Sequence, residues 1–231
     1  MKDLLILFAK APEPGRVKTR MVPFLSEEAA SQLQRAFLLD TLQLTDSLLL
    51  RRAVACLPTS DHPFFLMCGK ERPLLFLNQA GADLGERMRN AFEWGFSKGF
   101  QKVLLLGGDT PTLPADFIKE AIDRLDSFDV VVGPSIDGGY YLIGGRVPIP
   151  ALFEGIAWGT NTVMAMTLQK ARGQQLACHL LPFWYDIDRP EDLIFLKAHL
   201  ALFKEQGIVP AKETLQMIEQ LSQAGRWEEG G

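Results

Sequence analysis

The chain has 231 residues, 47% of them hydrophobic and 23% charged, with a formal net charge of -4. That composition supplies a full hydrophobic core and excludes a disordered chain or a coiled coil, and the acidic balance argues against broad binding to nucleic acid or to a membrane surface, both of which need extended basic faces. Cys56, Cys68 and Cys178 are odd in number and lack C-x-x-C spacing, so neither a disulfide framework nor a zinc site is expected and a cytoplasmic setting fits them.

Leu4 to Ala9 reads as a buried strand that runs into Lys10-Ala11-Pro12-Glu13-Pro14-Gly15-Arg16-Val17-Lys18-Thr19-Arg20. The start imitates a signal peptide, but the apolar run is too short and charges follow at once. No apolar stretch reaches the ~18 residues that span a bilayer. The prolines and Gly15 stop the strand, and Lys10, Arg16, Lys18 and Arg20 crowd one loop. Such a loop at the carboxyl end of a parallel strand is either a phosphate site or a solvated basic turn.

Ser26 is placed to cap a helix running through Leu50, with Ala29, Leu33, Phe37 and Leu44 near one face. Ala53 to Leu57 reads as a second strand, Thr59 to Lys70 as irregular, and Leu74 to Leu77 as a third strand. A glycine-bearing loop then leads into a helix from Glu86 to Lys98. Lys102 to Leu106 is strand-like and ends in Gly107-Gly108-Asp109-Thr110-Pro111, Pro114 opens a helix, and Asp129 to Val132 is a further strand. After the Gly-rich segment Asp137 to Gly145, Thr160 is placed to cap a helix to Arg172, and Leu176 to Leu181 is a strand. A helix begins in Asp186-Ile187-Asp188-Arg189-Pro190-Glu191-Asp192-Leu193 and ends at Gly207. A last helix, Ala211 to Ala224, precedes a frayed polar tail. Alternating strands and helices imply an α/β fold with a mostly parallel sheet, in a single domain over residues 1–231 whose last helix and tail occupy 210–231.

Asp109, directly after a strand, is placed to ligate Mg²⁺ or Mn²⁺, or to close its own Asx turn. Asp186 and Asp188 fall on one side of an extended segment and can share a cation, whereas the Pro and acid that follow make Asp188 an N-cap. Asp137-Gly138-Gly139-Tyr140 combines a carboxylate, permissive backbone and an aromatic, which suits a ligand contact or a plain hairpin turn. Gln79, Asp83 and Arg87 surround a glycine loop, where they can meet a nucleobase or ribose or simply stand in solvent as polar side chains. No Walker-type G-x-x-x-x-G-K-[ST] and no serine or cysteine triad is present.

Five segments together carry a resemblance: Phe8 to Arg20, Leu84-Gly85-Glu86-Arg87-Met88, Gly107 to Pro111, Asp137 to Gly144, and Asp186 to Leu193. They resemble the glycosyltransferase-like family of nucleotide-diphospho-sugar transferases linked to arsenosugar biosynthesis. More distantly they are similar to phospholactate guanylyltransferase and molybdenum-cofactor nucleotidyltransferases. The resemblance implies a GT-A-like three-layer α/β/α sandwich with a mixed, mainly parallel sheet. It implies that Lys10, Pro14, Gly15, Arg16, Lys18 and Arg20 hold nucleotide phosphates, with Gln79, Gly85 and Arg87 near the nucleotide. Asp109, Asp188 and Asp186 would bind Mg²⁺ or Mn²⁺, and Asp137, Gly138, Gly139 and Tyr140 would face the acceptor or sugar. Where many relatives have Gly-Ser-Asp-Cys-Pro, this chain has Gly-Gly-Asp-Thr-Pro, which keeps the Asp and Pro and loses a hydroxyl.

The expected activity is metal-dependent transfer from a nucleotide sugar to a small-molecule acceptor, with Asp109 and Asp137 as catalytic carboxylates. Nucleotidyl transfer from an NTP, with release of pyrophosphate, is the second reading, and a nucleotide-binding protein without catalysis is the third. No nucleic-acid or membrane partner is expected, and homodimerisation stays open.

Overall fold

The computed structural model describes residues 2–223. In chain order the elements are β1 (Asp3–Lys10), α1 (Glu27–Thr45), β2 (Arg51–Leu57), α2 (Pro63–Glu71), β3 (Leu75–Asn78), α3 (Leu84–Ser97), β4 (Lys102–Leu106), α4 (Ala115–Arg124), β5 (Val130–Pro134), β6 (Tyr140–Gly145), α5 (Val163–Gly173), β7 (Cys178–Leu180), α6 (Pro190–Glu205) and α7 (Lys212–Gln223). The chain divides into two compact units. The first takes residues up to 10, 48–107 and 114–185, and the second takes 11–47, 108–113 and 186 onward.

The first unit is a seven-stranded sheet in the order β3-β2-β1-β4-β6-β5-β7. β6 runs antiparallel to both of its neighbours, and every other pairing is parallel. The mixed, mainly parallel sheet is therefore as expected. Strands buried on both faces read as unbroken apolar runs rather than alternating ones, and Leu4–Leu7 and Val103–Leu106 are such runs. With side chains alternating across the sheet, Leu4, Ile6, Ala53, Val103, Leu105, Val132 and Ile143 share one face and pack with Met88, Ala91 and Phe92 of α3. Asp83 caps α3 by accepting from the Glu86 amide at 2.8 Å.

The second unit contains α1, α6 and α7. Ser26 Oγ accepts from the Ala29 amide at 3.2 Å, so the expected cap of α1 is realised. Asp40 of α1 receives the Glu213 and Thr214 amides at 3.0 and 2.8 Å, which ties the first turn of α7 to α1.

Several expected boundaries move. α1 stops at Thr45 rather than Leu50, because the Thr45 hydroxyl turns back onto the Leu42 carbonyl at 2.8 Å and Asp46-Ser47 compete for the backbone. The segment from Thr59 to Lys70 is not irregular throughout: Pro63 opens α2, and His62 Nδ1 accepts from the Phe64 amide at 3.2 Å. The Gly-rich segment after Asp137 holds the hairpin strand β6, and Thr162 rather than Thr160 precedes α5. Pro114 stands just before α4, not inside it. Residues 224–231, which include the expected helix end at Ala224 and the expected frayed tail, lie outside the described residues. Among the described residues no helix is long and apolar enough to cross a membrane.

Candidate functional site

The chain leaves β1 through a tight turn in which the Arg16 amide bonds the Glu13 carbonyl at 3.1 Å and Pro14 and Gly15 are exposed. Lys18 then adopts a left-handed backbone, φ 49°, just ahead of a 3-10 turn at Thr19–Met21. An L-residue rarely adopts that conformation unless its surroundings hold it there, and Lys18 is held by its side chain. Only 3% of that side chain is exposed, and its ammonium donates to Asp109 Oδ1 at 2.6 Å, the Ile187 carbonyl at 2.5 Å and Asp188 Oδ1 at 3.0 Å. The Phe37 ring of α1 lies with its centroid 5.3 Å from the same nitrogen, a cation-π distance.

The acceptors are positioned by backbone. The Ile187 amide donates to the Asp109 carbonyl at 3.0 Å and joins the two segments that carry the carboxylates. Asp192 Oδ2 accepts from the amides of Asp188 and Arg189 at 2.9 and 2.8 Å. Arg189, not Asp188, is therefore the N-cap of α6, and the Asp188 carboxylate is left for side-chain partners. One of these is Arg20, whose Nη1 stands 3.5 Å from Asp188 Oδ2.

Burial by itself would lower the Lys18 pKa, but Asp109 and Asp188 outweigh it and hold the ammonium above its ordinary value. The carboxylates keep an open side: 43% of the Asp109 side chain and 35% of that of Asp188 are exposed. Two carboxylate oxygens and a carbonyl oxygen thus converge on one point, a donor set of the kind hard cations take. Among the described residues no group of three or more His, Cys, Asp or Glu side chains is placed to hold a metal ion. Of the three carboxylates expected at the metal, Asp109 and Asp188 meet at the Lys18 ammonium. Asp186 is half-buried on the same segment.

The basic loop is also less bare than its sequence suggests. Arg16 Nε stands 3.4 Å from Glu13 Oε2, while Lys18 and Arg20 both meet Asp188. Lys10, at the end of β1 in the first unit, is exposed.

The remaining expected site residues belong to the first unit, where several have structural duties. The Gln79 side-chain amide donates to the carbonyls of Ala55 and Ala9 at 2.8 and 3.3 Å and so staples the ends of β2 and β1. Arg87 Nε holds the Gly81 carbonyl at 3.1 Å. Gly85 is a packing glycine, since a Cβ there would collide with the Phe153 carbonyl and, at 2.5 Å, with the Trp158 indole nitrogen. Gly138 has φ +90° and abuts the Asn161 backbone, so a side chain is refused on both counts. Asp137 is exposed, and its Oδ1 accepts from the Gly139 amide at 2.8 Å, within the hairpin turn between β5 and β6. Tyr140 does not stand open for stacking: its ring packs edge-on against Trp158 at 6.4 Å, and burial pushes its hydroxyl pKa up.

Sequence reasoning missed the Ile187 carbonyl and the Phe37 ring. A backbone acceptor leaves no side-chain signal, and an aromatic at helical spacing reads as core.

Comparison with known proteins finds similar sequences and folds. A crystal structure from Desulfovibrio desulfuricans G20, provisionally described as a nucleotide-diphospho-sugar transferase, matches with a TM-score of 0.86 over 96% of both chains at 32% identity. The 4-diphosphocytidyl-2C-methyl-D-erythritol synthase of Anaerococcus prevotii DSM 20548 matches with a TM-score of 0.57 over 87% of this chain and 96% of that one, at 10% identity, a likeness of fold alone. Among curated proteins, the 2-phospho-L-lactate guanylyltransferase of Methanobrevibacter ruminantium is 25% identical over 200 residues, 80% of this chain and 81% of that protein. A family model described as "Uncharacterized protein conserved in bacteria (DUF2064)" matches residues 38–160.

Proposed function

The chain belongs to the DUF2064 family, and from that premise we propose that it is a transferase using a nucleotide-activated donor, a nucleotide sugar in the first reading. A divalent cation would be held by Asp109 and Asp188. The observation that carries the proposal is the convergence of Asp109, Asp188 and the Ile187 carbonyl on the single Lys18 ammonium. It sets carboxylate oxygens that suit Mg²⁺ or Mn²⁺ beside cations that suit phosphates. The 96% coverage of the Desulfovibrio structure supports the nucleotide-sugar reading.

Asp109 and Asp188 would bind the cation through the carboxylate oxygens that now face Lys18. When bound, Mg²⁺ or Mn²⁺ supplies Lewis-acid neutralisation of charge on the departing diphosphate. Arg16 and Arg20, both exposed, would clamp the donor's phosphates, and positive charge aimed at the leaving group favours the transition state over the ground state. In the nucleotide-sugar reading an acceptor oxygen attacks the anomeric carbon, the bond to the diphosphate breaks, and the acceptor proton passes to a base, for which Asp137 is the proposed carboxylate. Nucleotidyl transfer is the second reading, and the guanylyltransferase relative favours it. There an acceptor phosphate attacks the α-phosphorus of an NTP and pyrophosphate leaves.

Incubation with Mn²⁺, a panel of acceptors and each NTP or nucleotide sugar separates the two. Free nucleoside diphosphate is expected with a nucleotide sugar, and pyrophosphate with an NTP would install the second reading instead. Asp109→Asn is expected to lower kcat by about 100-fold or more, the scale of losing one preorganised electrostatic contact. Metal-dependent nucleotide binding without turnover of any donor would establish a non-catalytic binding protein.

A further inference from the structure

All three Lys18 ammonium protons are committed inside the protein, to Asp109 Oδ1, the Ile187 carbonyl and Asp188 Oδ1. With 3% of its side chain exposed, Lys18 cannot reach a donor phosphate while it stays there. A divalent cation bound to the same oxygens would sit about 2.0–2.6 Å from each. The ammonium nitrogen already stands 2.6 and 3.0 Å from the two carboxylate oxygens. The two positions overlap, and like charges at that separation in a partly buried site repel strongly. Only one cation can occupy the seat above Phe37.

We propose that Lys18 is the resident counter-ion of the Asp109–Asp188 pair, and that entry of the divalent cation and release of Lys18 toward the donor's phosphates are a single exchange. The inference rests on the reading above that Asp109 and Asp188 hold the metal. Without a cation between them the two carboxylates would face each other unscreened, so Lys18 keeps the ligand-free site assembled. Once displaced, the ammonium lacks its three acceptors, and a polyphosphate replaces them. Nucleotide and cation therefore bind cooperatively, each strengthening the other by the same factor. The cation alone binds weakly because it must first evict Lys18. Arg20, 58% exposed and already near Asp188, marks the solvent side from which a phosphate approaches.

The test is Mn²⁺ binding without nucleotide, followed by calorimetry and electron paramagnetic resonance, in wild type, Lys18→Met and Asp109→Asn. Lys18→Met removes the competitor and is expected to bind Mn²⁺ at least threefold more tightly than wild type. A smaller gain, no change or a loss overturns the exchange. Asp109→Asn is expected to lose Mn²⁺ affinity, so a failure of Lys18→Met alone discards the exchange and leaves the metal reading standing. Absence of Mn²⁺ binding in every variant, with GTP or CTP present or absent, discards both. Wild-type protein labelled with ¹⁵N-lysine gives a readout independent of any variant's folding. The Lys18 ammonium protons, shielded by three acceptors, are expected to give a resolved signal that Mg²⁺ saturation abolishes. A signal unmoved by saturating Mg²⁺ overturns the proposal.

Discussion

Asp137 sits on the turn between β5 and β6 with its Oδ1 on the Gly139 amide, and that bond determines how its proposed chemistry can be separated from its structural duty. Asparagine keeps an Oδ1 that accepts the same bond and loses only the charge. If Asp137 is the base, Asp137→Asn should lower kcat by about 100- to 10,000-fold, the contribution of general base catalysis, with the thermal midpoint unchanged. An undiminished kcat in Asp137→Asn, with lower stability in Asp137→Ala, would assign the residue to the turn alone. Lys18 shows what a sequence reader can and cannot obtain at this scale. The cations of the loop and the carboxylates at 109 and 188 were legible, because charge in a loop after an apolar run is a local pattern. Their mutual neutralisation was not, because the partners stand 91 and 170 positions away. The packing of the Tyr140 ring against Trp158 was not legible either, because a sequence pattern does not say how deep a ring is buried.

Among the elements, α1 and α7 are joined by a contact that no local pattern announces. Asp40 is 2% exposed, yet an acid within an amphipathic helix reads as a surface charge until its partners are known. Its two oxygens receive the Glu213 and Thr214 amides, donors that a helix start otherwise leaves without intrahelical partners. Asp40→Ala should therefore cost about 1–3 kcal/mol in denaturant unfolding, the cost of stranding buried donors. Burial raises the Asp40 pKa above 3.8 despite these bonds. The sign follows: the folded state holds the proton more tightly than the unfolded state, so Asp40 lowers stability as pH rises from about 3.8 through the folded value and has no further effect above it. Asp40→Asn, which has no such titration, should flatten the pH dependence of the midpoint in that window. An identical pH profile for variant and wild type would place the titration elsewhere. By contrast the Ser26 cap was legible, being a serine directly before a periodic apolar run. α2 was not, because nine residues opened by a histidine cap carry too little periodicity.

In the molecule as a whole, the strands were legible and their order was not. Buried parallel strands announce themselves as apolar runs, whereas the order β3-β2-β1-β4-β6-β5-β7 depends on pairings between distant segments, and glycines disguise the antiparallel β6. β1 has β2 on one side and β4 on the other, so the sequential order of the sheet reverses at β1. Ligands of open α/β sheets bind beyond the carboxyl ends of strands at such a reversal. The segments that follow β1 and β4 carry Lys18 and Asp109, eight and three residues past their ends, and both segments belong to the second unit. A ligand held by Lys18, Asp109 and Asp188 of the second unit should stabilise the chain by mass action, by about 2.7 kcal/mol at 100 times its Kd. For a chain of this length that corresponds to a rise of roughly 5–10 °C in the thermal midpoint. Mn²⁺ with a bound nucleotide or nucleotide sugar should produce it, and Asp109→Asn should lose the part that depends on Mn²⁺. Hydrogen exchange locates the effect: added protection should concentrate at residues 18–21, 109–113 and 187–193. Protection confined to the β5–β6 turn would move the nucleotide site to the first unit and remove Lys18, Asp109 and Asp188 from it.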